Sequence, residues 1–479
     1  MERLGGQSLL MKRNPLASSW NVDCGSDCLD RRQFLSRAGM GFGFLGLAGL
    51  LAQETRLRAA SPTSASPGAL FPARAKHVIH IFAQGAPSHV DTWDPKPELG
   101  KHEDQSLPGL NGIAMPSPFK FSKYGRSGIE VSEVFPRLAE QVDRLAVLRS
   151  LYTDIPAHDV ATLMMNTGSL RMVKPSLGSW VLYGLGSENQ NIPGYISLRP
   201  GGLPPGGVQN WGSSFLPGNF QATSINTKAA TVDGMIQNIR NPYLGDKEQR
   251  RQLDLVQKLN SQPQSGLTRD PQLDARIAAF EMAYRMQMEA SDAFDLSKET
   301  AATRELYGDT AQGKQLMIAR RLVERGVRFV QVWAGGWDHH EDLENRLRDS
   351  AREIDRPAAA LIEDLAQRGL LDSTLVVWGG EFGRTVTRDR NGGEDPGRDH
   401  NSKAFCSWMS GGGVKGGTVY GATDEFGARA VENKVHIHDF HATILHLLGI
   451  DHEKLTYRYN GRDFRLTDNY GQVVKGVLA

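Results

Sequence analysis

Apolar positions in this 479-residue chain fall into short continuous runs and longer stripes at helical spacing. His77 to Phe82 is almost wholly apolar and reads as a buried strand, and Leu145 to Ser150 reads as another. Gln312 to Arg325 carries apolar residues at helical spacing, stops at Gly326, and leads into a strand from Val327 to Trp333. Glu344 to Arg368 repeats that pattern, stopping at Gly369 before a strand from Thr374 to Trp378. Helix then strand, twice in succession, predicts crossover helices and a mostly parallel sheet, an α/β fold. Pro357 lies inside the second helical stretch and predicts a kink or split there. A short helix is expected over His158 to Asn166, and one over Asp439 to Gly449 with Asp439 as N-cap and Gly449 as C-cap. Asp274 to Leu306 has helical periodicity, with Met282, Met286 and Met288 as packing residues. Residues 196–240 are rich in Gly, Pro, Asn and Ser and read as a loop insertion of the kind that shapes a substrate mouth.

The N-terminal segment adds a destination. Asp30-Arg-Arg-Gln-Phe-Leu35 pairs two arginines with an apolar dipeptide, and an uncharged stretch from Ala38 to Ala52 follows. That is the pattern of a twin-arginine export signal, and it is short for a membrane span. Cleavage is expected between Ala52 and Ala65, and an Ala, Ser and Pro-rich linker runs from there to the domain. The organisation is therefore a signal region over 1–56, a linker over 57–75, and an α/β domain over 76–479 with its insertion at 196–240 and a helical segment at about 270–326. The expected destination is the periplasm or beyond, reached through the twin-arginine machinery. No stable membrane span is expected.

Composition removes some options. Lys and Arg number 55 against 54 Asp and Glu, so no nucleic-acid footprint is present. Cys24 and Cys28 precede the paired arginines and leave with the signal. Only Cys406 remains, inside an apolar run, and a disulfide framework or cysteine-metal site is excluded.

Candidate chemistry gathers at the ends of the strands. Gly335-Gly-Trp-Asp-His-His340 follows one strand, Gly379-Gly-Glu-Phe-Gly-Arg-Thr385 follows another, and Gly397-Arg-Asp-His400 comes after. Gln84-Gly-Ala-Pro-Ser-His-Val-Asp91 follows the first strand. Carboxyl ends of strands are where open α/β sheets build their sites. Asp338 and His340 stand two apart and reach one ion if the backbone there is extended, with His339 pointing away. Asp399 and His400 close the shell, and Asp91 is the remaining ligand candidate, since Asp and imidazole groups together bind divalent metal. Glu381 is placed as ligand or general base. Arg384 is placed either to hold an anionic oxygen or to tie its loop down. His158 opens a helix whose free N–H groups attract an anion. Asp94, before Pro95, reads as a turn residue. Ser88, His89 and Asp91 lack the nucleophile elbow of a Ser-His-Asp triad. His436, His438, His441, His446 and His452 do not share the spacing of one compact site, and His446 falls on an apolar helix face.

As a set, the twin arginines, Ser88-His-Val-Asp-Thr-Trp-Asp-Pro-Lys-Pro97, Gly336-Trp-Asp-His-His340, Glu381-Phe-Gly-Arg-Thr385, Gly397-Arg-Asp-His400 and Asp439-Phe-His-Ala-Thr-Ile-Leu-His-Leu-Leu-Gly449 resemble the domain of unknown function 1501 family. That family is placed in the alkaline phosphatase and sulfatase superfamily. The resemblance implies an alkaline phosphatase-like three-layer sandwich and metal-assisted hydrolysis of phosphate or sulfate esters, on a small molecule or a polysaccharide. It puts Gln84 where the superfamily carries its first aspartate, and His158 at the nucleophile position counted back from Thr167-Gly168. It lets Glu381 stand for an aspartate ligand, while Phe382 takes a place where histidine would ligate. Asp338, His340 and His400 match the other metal position. The expectation is a zinc site (manganese or calcium being the alternatives), with attack by a metal-activated water or by His158. A non-catalytic anion- or glycan-binding protein on a degenerate phosphatase fold is the competing expectation, and a structural envelope protein the third.

Overall fold

The sheet is built from strands β1 (His77–Ala83), β2 (Leu145–Tyr152), β3 (Tyr195–Arg199), β4 (Thr223–Asn226), β5 (Phe329–Ala334) and β6 (Thr374–Gly379). A hairpin of β7 (Gly383–Arg388) and β8 (Arg398–Asn401) stands outside it, and β9 (Phe405–Ser410), β10 (Thr418–Tyr420) and β11 (Val435–His436) complete it. This computed structural model describes residues 71–229, 231–236, 243–261, 277, 280–282, 284–286, 292–391 and 393–479. The signal region, Cys24, Cys28, the linker up to residue 70, Met288 and most of the 270–291 stretch lie outside the described residues.

The strand order is β10-β2-β9-β6-β1-β5-β3-β4, with β11 beside β2. All pairs are parallel except those made by β9, which is antiparallel to both β2 and β6. The exception has a local cause. A parallel return needs a helix-length crossover. Between β6 and β9 the chain forms only the β7–β8 hairpin, so it re-enters the sheet from the edge it left and runs back. That hairpin therefore stays over the carboxyl edge, carrying Arg384, Asp389, Arg398, Asp399 and His400.

The central strands β1, β5 and β6 are buried on both faces, and period-two alternation sends their side chains into two separate cores. Ile79, Ile81, Val330, Val332, Val376 and Trp378 pack in one core with helices α3 (Ala311–Glu324) and α4 (Leu343–Gln367) through Leu316, Ile354 and Leu361. Val78, Phe82, Phe329, Trp333, Leu375 and Val377 pack in the other. That core is closed by α1 (His158–Thr167), α2 (Leu177–Leu185) and α5 (Ile437–Leu447) through Met164, Trp180 and Ile444. The result is a three-layer α/β sandwich with a mostly parallel sheet, as the helix-strand alternation predicts.

Three sequence expectations are corrected. Residues 196–240 are not loops alone: β3 and β4 add two parallel strands at the sheet's edge, too short to stand out by periodicity. Pro357 does not split α4, which runs unbroken. The Glu353 carbonyl, which a proline nitrogen cannot serve, accepts a hydrogen bond from Thr310 Oγ1 at 3.2 Å instead. Asp439 is not the N-cap of α5. His436 holds that position and receives the His438 N–H, while Asp439 reaches back to the His436 N–H at 2.9 Å. Other expectations hold: Cys406 is free and buried, Met286 is in the core and Met282 packs against it.

The second core contains imidazoles. His80 lies edge-on to Phe82 and Phe329, and burial lowers its pKa to about 3. Burial likewise lowers His441, bonded to the Met165 carbonyl at 2.7 Å, to about 4, and His438 to about 3. Unfolded imidazole titrates near 6.5, so between pH 6.5 and about 4 the unfolded chain binds more protons than the folded one. Stability is therefore fully present above pH 6.5 and lost on acidification. The loss is about 2 kcal/mol per imidazole at pH 5. A melting temperature that falls steeply from pH 7 to pH 5 is the expected result, and a flat profile would refute three neutral buried histidines.

Candidate metal centre

The site lies where the carboxyl ends of β1, β5 and β6 meet the start of α1 and the β7–β8 hairpin. Two glycines let these loops touch. Gly85, at φ +109°, lies so near the Asp338 loop that a Cβ there would stand 2.6 Å from the Asp338 nitrogen. A Cβ at Gly397 would stand 2.2 Å from the His339 carbonyl oxygen. Gly397 and Arg398 instead donate their N–H groups to the His340 and His339 carbonyls at 2.9 and 3.0 Å, docking the hairpin on the loop after β5.

Asp338 Oδ1 is the point of convergence. The Nε2 atoms of His340, His158 and His400 lie 2.9, 3.2 and 3.4 Å from it. His340 Nε2 and His400 Nε2 are 3.0 Å apart. The other ring nitrogens all meet acceptors: His158 Nδ1 meets Glu381 Oε1 at 2.6 Å, His340 Nδ1 meets Asp389 Oδ2 at 2.5 Å, and His400 Nδ1 meets the Pro156 carbonyl at 2.9 Å. A carbonyl or carboxylate only accepts, so each Nδ1 carries a proton and each Nε2 is the atom turned inward. Lone pairs 3.0 Å apart beside a carboxylate repel one another unless a proton or a metal cation lies among them. Imidazoles held from behind in this way are the usual partners of a bound metal.

On His158 a proton takes that place among the inward-facing atoms. Burial opposes a charge on His158, but its hydrogen bonds to Asp338 and Glu381 prevail and raise it to about 9. Burial opposes the charge of Asp338 too, yet hydrogen bonds from His158, His400 and Arg384 hold it well below the usual carboxylate range. Asp389 is likewise lowered, with the Asn391 N–H and His340 outweighing burial.

Asp338, His340, His400 and His158 are thus brought together, and Asp399 joins His340 and His400 from the exposed side, ligand atoms within 4.8 Å. Asp399 is held by its N–H to Thr385 Oγ1 at 3.0 Å. His339 points away to Ser350, as expected.

Three placements differ from the sequence reading. Asp91 is not part of the centre. It is fully buried and grips Arg398 through both oxygens, at 2.6 and 3.0 Å, with Ser88 Oγ at 2.5 Å. His89 turns instead to the Gly427 carbonyl, so no Ser-His-Asp triad forms. Glu381 is not in either group of side chains placed to hold an ion. It is wholly buried and ties the Gly85 N–H, at 3.0 Å, to His158. Arg384 takes the second of its two expected roles and ties loops together. Its guanidinium, 1% exposed, bonds to the carbonyls of Ala86, Arg398 and Gly85, to Asp338 Oδ1 and to His340 Nε2. That spends its donors on joining three loops. Asp94 is more than a turn residue, since it is buried against Thr423 and Lys96. Phe382 packs on the rings of both His158 and His400, at 4.8 and 4.7 Å. Asp389 escaped the sequence reading because no periodicity or motif marks it. The five C-terminal histidines form no common site: His436 caps α5 and His452 bonds Thr467.

A family model described as protein of unknown function, DUF1501, matches residues 75–478, and the chain belongs to that family. No curated protein matches its sequence. Among solved structures it is similar to the PsFucS1 sulfatase of Pseudoalteromonas sp., at 12% identity over 87% of this chain and 72% of that one, with a TM-score of 0.36. It is also similar to the zinc-complexed C-terminal periplasmic domain of EptC from Escherichia coli (10% identity, 84% and 96% covered, TM-score 0.35). A third is the lipoteichoic acid synthase LtaP of Listeria monocytogenes (9% identity, 85% and 77% covered, TM-score 0.35). Likenesses of this degree carry no argument about the reaction.

Proposed function

We propose that this DUF1501 chain is an exported, metal-dependent hydrolase of phosphate or sulfate esters, its cation held by Asp338, His340 and His400 with Asp399 at the open side. The observation that carries the reading is the convergence of imidazole Nε2 atoms on Asp338 Oδ1 within 3.4 Å, each ring held from behind by an acceptor. The residues fit a divalent ion, because nitrogen and carboxylate donors meet at an edge that Asp338 leaves half exposed. Such an ion supplies polarisation of an ester oxygen and a water of lowered pKa.

The chain's own residues do the rest. Arg384 and Glu381 lock the strand-end loops so that donors need not reorganise, and Asp389 fixes the ring of His340. Phosphate and sulfate esters are favoured by the motif resemblance to the alkaline phosphatase and sulfatase superfamily. Glycan esters are the substrate form that suits an exported enzyme. Export rests on the twin arginines Arg31 and Arg32, and among the described residues no helix is long and apolar enough to cross a membrane.

The test is hydrolysis of aryl phosphate, aryl sulfate and sulfated or phosphorylated glycans by the mature chain, with and without added zinc or manganese and after chelation. Metal-dependent turnover on one ester class is the expected result. Tight metal binding with no turnover on any of them would replace the hydrolase by a binding protein.

A further inference from the structure

We propose that His158 is a third imidazole ligand, through Nε2, of the cation held by Asp338, His340 and His400, and that it is not a nucleophile. The inference rests on the reading of this site as a cation centre.

Its orientation is set from behind. Glu381 is fully buried and anchored by the Gly85 N–H, so its carboxylate cannot swing away. With Oε1 2.6 Å from His158 Nδ1, that nitrogen is the one that carries the ring proton. Nε2 then faces the centre, 3.2 Å from Asp338 Oδ1, and offers its lone pair to a cation that displaces its proton. The ring is also boxed in. Phe382 lies 4.8 Å from it, and the His400 ring stands edge-on at 4.4 Å. Nε2 is sealed from solvent and, apart from Asp338, has no polar partner of its own. A nucleophile needs a lone pair that faces incoming substrate. This one faces two other ligand atoms, and His158, Asp338 and His400 offer one atom each within 4.8 Å of one another.

The consequence is a set of three imidazoles and one carboxylate, a nitrogen-rich site. Such a set suits zinc and its transition-metal neighbours, whereas calcium and magnesium prefer oxygen. It also means that no phosphoryl or sulfuryl group is carried on His158.

The experiment titrates zinc against a chromophoric chelator in the wild-type chain and in His158→Ala, His158→Asn and Glu381→Gln variants. Cobalt-substituted spectra and circular dichroism are recorded on each. The expected result is a loss of affinity on the order of a hundredfold or more in both His158 variants, and of roughly 10–100-fold in Glu381→Gln. The cobalt d–d bands should change as one nitrogen donor is lost. Zinc held by folded His158 variants within threefold of wild type overturns the inference alone. So does a phosphoryl or sulfuryl adduct on His158, found by mass spectrometry after a turnover quenched at alkaline pH. If His158→Ala fails to fold, His158→Asn and Glu381→Gln still decide. A wild-type chain that binds neither zinc nor cobalt overturns the cation centre itself.

Discussion

Replacing Asp338 by Ala is expected to remove the cation and the turnover together while leaving the fold intact. Asp338 Oδ1 is the atom on which three imidazoles and the Arg384 guanidinium meet. Its side chain is 47% exposed, so no core cavity opens when it is truncated. Structural zinc sites bind with roughly 10–16 kcal/mol. One ligand in four is then worth about 3 kcal/mol, a factor of roughly 10² to 10³ in affinity. The substitution also leaves Arg384 next to inward-facing imidazoles with its carboxylate gone, which further repels a cation. Zinc titration and ester turnover at saturating metal measure the two effects separately. Wild-type affinity in a folded Asp338→Ala chain would sink the assignment of this carboxylate.

The largest effect on stability is expected from Asp91→Ala, at a residue that meets no ligand atom. Asp91 and Arg398 are both wholly buried, and the pair is bidentate. Truncating one partner of a buried pair leaves an uncompensated charge and costs about 3–5 kcal/mol. Removing both charges together is far milder when the space is refilled. Asp91→Ala should therefore melt several degrees below wild type, and an Asp91→Leu, Arg398→Met double variant should recover much of the difference. Arg398 precedes His400 by two residues on β8, so cation affinity should weaken in the single variant as well. A melting temperature within a degree of wild type would show that the pair is not what holds the hairpin.

Much of this protein is written in local pattern. Buried runs such as His77 to Phe82, and the helix-strand alternation from Gln312 to Trp378, specify a mostly parallel sheet, because period and burial are properties of neighbouring residues. The same runs place Asp338 and Glu381 at carboxyl ends of strands, and Gly397-Arg-Asp-His400 carries its own motif. What local pattern could not decide is which of these carboxylates and cations face one another. Asp91 looked like a ligand and Arg384 fitted an anion holder as well as a brace, since charge and strand-end position are alike for the two roles. Tertiary structure separates them. A hairpin too short for a crossover stays on the sheet edge and brings Arg398 to Asp91 across more than three hundred residues. The same hairpin sets Asp389 behind His340 and spends every Arg384 donor on loop carbonyls and site atoms. Sequence alone determined the fold class and the residue types available for a metal. Long-range packing decided which of them converge, because convergence depends on distances between loops that no local period encodes.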